Sequence, residues 1–265
     1  MSRQTINLRP YESVALLNRD LSCFIRPIKP LCHAKPQIHI NPSESYPYYR
    51  RRKDAVWDSF KTKAELIKKY CPYANQQKIL WGREQWKPKS WDEDFDSLWI
   101  EYRYQPKNTN STRHIYTAQA WENDWQAENL WEKWSNQLTA AGAYVEHNYL
   151  RMPDGADWPL KWQSPVTMPV GLSRFQLKIK DIDFKQFSDI TEQDAIAAGI
   201  DQLSHGQAGL IYFIHRLDYG FRYPVWTTRD PLKAFKWVWN QLYPQSPANT
   251  DPWVWLINVE TEVKQ

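Results

Sequence analysis

Phe175-Gln176-Leu177-Lys178-Ile179 alternates apolar and polar residues without a break, the period of a strand with one buried and one wet face. Downstream, Thr191-Glu192-Gln193-Asp194 has the form of a capping box, and the short helix that it opens stops at Gly199. A second helix begins where Asp230 supplies the N-cap and Pro231 the first helical residue. Leu232, Phe235, Val238, Trp239 and Leu242 then fall on one face. Trp253-Val254-Trp255-Leu256-Ile257 follows as an apolar run suited to a buried closing strand. These pieces predict an α+β fold, a small mixed β-barrel with helices around it.

Working outward, Thr5-Ile6-Asn7-Leu8 alternates and predicts a strand entering the barrel, and Pro10 predicts the start of a helix through Val14 and Leu17. Residues 27–49, rich in Pro, Ser, His and Tyr without a clean period, read as an extended loop. Residues 54–69 read as a helix with Val56, Phe60, Ala64 and Ile67 on one side and lysines on the others. Strand returns over 79–86, and 87–96 is too rich in charge and proline to continue it. Residues 98–104 and 113–117 alternate on either side of a polar turn and predict a hairpin. Residues 121–138 have Ala127, Trp131, Trp134 and Leu138 at helical spacing, and Ala140-Ala141-Gly142 ends that helix. The expected organisation is one domain over 1–265 with a Trp-rich insertion or cap at about 87–160.

Composition narrows the function classes. Lys and Arg number 34 against 30 acidic residues, a mild net charge of +4 that permits nucleic-acid contact without demanding it. Cys23, Cys32 and Cys71 are too few and too odd in number for a disulfide framework and point to a reducing cytosol. Met1-Ser2-Arg3-Gln4 leads directly into a strand-like segment, so no signal peptide is expected. No apolar run approaches the roughly 18 residues of a membrane span, and a soluble cytoplasmic protein follows as the expectation. Sixteen tryptophans and 15 tyrosines are the largest deviation; such rings fill cores, anchor partners or stack on bases.

Three further segments carry a resemblance: Cys71-Pro72-Tyr73, Leu80-Trp81-Gly82-Arg83-Glu84-Gln85-Trp86, and Asp251-Pro252-Trp253-Val254-Trp255. With Met168-Pro169, Ser173-Arg174, the helix from Ile190 to Ile200 and the stretch from Ala15 to Pro30, the chain resembles ASCH domain proteins of the PUA-like superfamily, most closely phage and prophage members. The resemblance covers roughly half of the chain and implies a PUA-like barrel. Members that hydrolyse acetylcytidine use a Lys and a Thr from one segment and a Glu on the short helix. The register set by Ala15-Leu16-Leu17 and Arg26-Pro27-Ile28-Lys29-Pro30 puts Leu21 at the Lys, Phe24 at the second Thr and Ala198 at the Glu, while Ser22 keeps only a hydroxyl. Neither Leu, Phe nor Ala moves a proton or polarises a carbonyl, so the resemblance implies a scaffold that binds and does not catalyse.

Candidate ligand-binding residues are Ser22, Phe24, Arg26, Arg83, Glu84 and Arg174. Neighbours in a strand, Arg83 and Glu84 leave on opposite faces, and one of them lines a cleft or else forms a buried ion pair with Arg174. Arg26 suits a phosphate or a base edge, or is a surface arginine; Phe24 stacks on a ligand or plugs the cleft. Arg50-Arg51-Arg52-Lys53, flanked by tyrosines and Trp57, combines cations and rings as a nucleic-acid patch would, and its alternative is a solvated loop at a helix N-terminus. Cys32, His33, His39 and Cys71 lack metal-ligand spacing, His205 and His215 have no nucleophile partner, and Gly-rich phosphate loops are missing. No metal or cofactor is expected. The function expected is non-catalytic binding of RNA, DNA or a modified nucleoside, with a host-protein or anti-defence partner as the alternative and a rearranged amidohydrolase third.

Overall fold

A computed structural model describes residues 4–28, 38–40, 47–50, 57–59, 62–74, 79–91, 97–104, 112–116, 124–147, 149–204, 210–215 and 224–263. The strands are β1 (Thr5–Asn7), β2 (Cys23–Pro27), β3 (Ile38–Ile40), β4 (Pro47–Arg50), β5 (Trp57–Ser59), β6 (Ile79–Arg83), β7 (Trp86–Trp91), β8 (Ser97–Tyr102), β9 (Thr112–Tyr116), β10 (Tyr144–Glu146), β11 (Tyr149–Arg151), β12 (Phe175–Gln186), β13 (Asp201–Ser204), β14 (Leu210–His215), β15 (Pro224–Thr228) and β16 (Trp253–Val263). The helices are α1 (Pro10–Asn18), α2 (Lys63–Tyr70), α3 (Asp124–Ala140), α4 (Glu192–Ala197) and α5 (Pro231–Leu242). The class is α+β, as expected.

Closure is not found. The largest sheet, ordered β1-β6-β12-β16-β2, is open among the described residues: β1 pairs in parallel with β6, β2 pairs antiparallel with β16, and no ladder joins the two edges. A barrel needs those edges hydrogen-bonded to each other, so the expected closed barrel gives way to an open mixed sheet. The apolar run at 253–257 is a strand flanked by β12 and β2 rather than a closing one.

The chain divides into two compact units, one of Met1–Leu17, Trp81–Gln176 and Glu262–Gln265, the other of Asn18–Leu80 and Leu177–Thr261. In the first, β7-β8-β9 form an antiparallel sheet whose inner side chains Trp86, Trp91, Leu98 and Ile100 pack with Trp134 and Leu138 of α3. The helix seam is Leu130, Trp134 and Leu138; Trp131, expected on it, is 38 % exposed, because a seam at i, i+4, i+8 leaves i+1 on the flank. Strand β7 corrects two expectations. The predicted strand 79–86 breaks after Arg83, and its charged, proline-containing sequel is a strand of its own. Pro88 is tolerated because β7 is an edge strand, with a register shift between Pro88 and Ser90. Gly82 lets β6 approach its neighbours closely, since an added Cβ would lie 2.9 Å from both Leu8 Cδ1 and Phe175 Cβ.

In the second unit, Phe175's strand partners Leu177 and Ile179 continue the buried alternation of β12. The capping box forms as predicted: Thr191 Oγ1 accepts from Asp194 N at 3.2 Å, Asp194 Oδ2 accepts from Thr191 N at 2.8 Å, and Gly199 leaves α4 at φ 88°. Asp230 Oδ1 likewise accepts from Leu232 N and Lys233 N at the start of α5. The buried face of α5 is Ala234, Phe235, Val238 and Trp239, with Phe187 stacked on Phe235 at 5.8 Å. Helix α2 starts later than its pattern predicts, because Thr62 caps it by accepting from Glu65 N at 3.2 Å. Trp57–Ser59 is a strand instead, and β3 and β4 stand within the predicted loop of 27–49. Val56 and Phe60 lie outside the described residues.

Candidate functional site

The predicted ligand set falls three and three between the units. In the second unit, Leu21 and Ala198 are partners in an antiparallel bridge, each 3 % exposed. Two backbone hydrogen bonds fix the junction: Ser22 N donates to Ala197 O at 2.9 Å, and Val259 N donates to Ser22 O at 2.8 Å. Ser22 itself is exposed. Phe24 is 1 % exposed, sitting opposite Ile257 in the β2–β16 ladder, so its ring is core and not an open stacking face. Arg26 is 8 % exposed, which removes the surface reading; its guanidinium carbon lies 5.2 Å from the Phe24 ring centre and Nη1 donates to Ile25 O at 3.3 Å. Beside them, burial pushes the Cys23 thiol up to about 12, with Asp194 adding to it.

Asp194 also anchors α4. Burial raises its carboxyl, but hydrogen bonds from Lys185 Nζ at 2.7 Å and from Thr191 outweigh burial and hold it below the ordinary aspartate value.

In the first unit, Glu84 lies in the break between β6 and β7, where it is fully closed from water. Arg174 meets it with two hydrogen bonds, Nε to Oε1 at 2.6 Å and Nη2 to Oε2 at 2.7 Å, and Nη2 also donates to Tyr104 O at 2.7 Å. The guanidinium stacks 4.3 Å over Tyr102 and 5.1 Å over Phe175. Burial raises the Glu84 carboxyl and Arg174 pulls it back; burial and Glu84 together push the Tyr102 phenol up to about 12. Of the two readings of Glu84, the geometry gives the ion pair. Arg83 points elsewhere: Nη1 donates to Val166 O at 3.1 Å, burial lowers its ordinary value, and Nε has no hydrogen-bond partner among the described residues.

The residues that complete this knot escaped the sequence reading. Tyr102 donates to Leu172 O at 2.7 Å, Met168 Sδ accepts from Glu84 N at 3.3 Å, and Ser173 Oγ donates to Gly82 O at 2.7 Å. Met168 and Ser173 lie in segments singled out by resemblance and Tyr104 in one singled out by alternation, but nothing in a single sequence says that they gather around the Glu84–Arg174 pair and its strand.

Of the predicted nucleic-acid patch, Arg50 and Trp57 are backbone partners across β4 and β5. Their side chains, and Arg51, Arg52 and Lys53 altogether, lie outside the described residues, as do Cys32, His33 and His205. Among the described residues no group of three or more His, Cys, Asp or Glu is placed to hold a metal, and no helix is long and apolar enough to cross a membrane. Comparison with protein-family models, with curated proteins and with solved structures gave no match to this chain.

Proposed function

We propose that this chain is a non-catalytic binding protein of ASCH, PUA-like descent and phage or prophage type, which holds RNA, DNA or a modified nucleoside in the host cytoplasm. The bridge between Leu21 and Ala198 carries the reading. The resemblance puts a catalytic lysine and glutamate at two positions far apart in the chain, and those two positions lie side by side. Both are filled with hydrocarbon, and a site with neither base nor acid does not activate water for amide hydrolysis. Ser22, next to the bridge, keeps a hydroxyl, and Arg26 keeps a cation further along β2, opposite Trp255.

Acetylcytidine incubated with the purified chain tests this directly: no deacetylation above buffer is expected, with nucleoside or oligonucleotide binding measurable by calorimetry. Turnover that Ser22→Ala abolishes would establish the rearranged amidohydrolase instead. A host-protein partner has one observation in its favour, the exposed Trp99, Trp131, Tyr144 and Val166 of the first unit. Recovery of one stoichiometric host protein from cells, with no affinity for nucleosides or oligonucleotides, would move the conclusion there.

A further inference from the structure

One side of the β7-β8-β9 sheet is shut by the tryptophan core; the other carries charge and rings. Lys87 and Glu101 are opposite in register and pair at 3.1 Å. Lys87 Nζ also lies 4.7 Å from the centre of the Trp162 ring, and the Arg103 guanidinium carbon lies 6.0 Å from that ring. Gln85 Oε1 fixes the Arg103 fork by accepting from Nη1 at 2.8 Å. Trp162 is half-buried, Lys89 and Arg103 are exposed, and Trp99, opposite Ser90, is 37 % exposed. The pair with Glu101 neutralises Lys87, which leaves Arg103 beside Trp162, and the exposed Lys89 in the register shift of β7, as the cations open to a ligand.

We propose that this face binds single-stranded nucleic acid, with phosphates along Lys89 and Arg103 and an unpaired base against Trp162. The inference rests on the reading that the chain binds nucleic acid, and adds where and in which form. An open cation 6.0 Å from a partly exposed ring offers backbone attraction and a stacking surface at once. A duplex keeps its base faces covered and gains only the first; a single strand gains both.

The test uses the full chain and labelled single strands of about 12 nucleotides, RNA and DNA in separate arms, with fluorescence anisotropy read across a salt series. Trp162→Ala is expected to weaken binding about 5- to 150-fold, while Trp162→Phe keeps most of it. Lys89→Ala with Arg103→Ala is expected to lower the salt slope by about 1.4, two phosphate contacts at about 0.7 each. Thermal unfolding of each variant separates lost binding from lost fold. Strands bound equally well by all the variants overturn the face and leave the general reading standing. Duplex bound as tightly as single strand, or displacement by polyglutamate at equal charge, also overturns it. No binding of any oligonucleotide overturns the face, and no binding of nucleosides either overturns the reading beneath it.

Discussion

Arg174 closes both oxygens of Glu84 in a planar fork, 2.6 and 2.7 Å long, with the carboxylate wholly inside the first unit. Removing one partner of such a pair strands the other charge in a place where water does not reach. Glu84→Gln should therefore cost about 3 kcal/mol of stability, read from urea unfolding, while the double replacement Glu84→Leu with Arg174→Met recovers much of the loss. A single variant as stable as the parent would remove the pair from the structural account and return Glu84 to the ligand-binding candidates.

Gly82→Ala is expected to destabilise by about 1 to 2 kcal/mol. The added methyl meets Leu8 Cδ1, which can rotate away, and Phe175 Cβ, which cannot move without its strand, both at 2.9 Å. Chain stiffening in the unfolded state offsets about 0.4 to 1 kcal/mol of the clash. Thermal melts of the two proteins side by side measure the net effect, and a rise in Tm would mean that the strands at this point have room to spare.

The carboxyl of Asp194 is held below its ordinary value of 3.8, burial being outweighed by Lys185 and Thr191. A depressed native value means that its contribution is fully present above the unfolded value and is lost as pH falls through the native one. Lys185→Met should shrink the loss of stability seen on acidification below about pH 4, because the mutant has less of this term to lose. Equal acid sensitivity in both proteins, measured by urea midpoint against pH, would count against the network.

Burial raises the Cys23 thiol to about 12 and the Cys71 thiol to about 11, so both stay protonated at pH 8. A disulfide reagent added to the native protein should find at most one fast thiol, Cys32, and all three cysteines in urea. Fast labelling of Cys23 at pH 8 would show that β2 opens readily.

The sequence was legible where one rule governs one segment. Thr191 and Asp230 start helices through hydrogen bonds within three residues of themselves and Pro10 through its fixed φ, and the alternation at 175–179 needs only a sheet to lie in. Misreadings came where a distant partner decides: β7 tolerates Pro88 only because it lies at a sheet edge, and Trp57 belongs to a strand because β4 pairs with it. The position of Leu21 against Ala198 was implied by resemblance, but neither residue carries a local signal of the other. Burial of Arg26 was invisible for the same reason, since an arginine reads as surface until its surroundings are known.

Trp134 sits 5.9 Å from both Trp86 and Trp91, and Trp91 in turn 6.3 Å from Trp158. Four indoles held this close and mutually tilted form a chiral chromophore array whose near-ultraviolet dichroism depends on fixed tertiary packing. The first unit thus contributes an optical label: detachment of α3 from β7 breaks both Trp134 contacts and should diminish the near-ultraviolet signal while the far-ultraviolet helix signal persists, reporting loosening before unfolding with no added dye.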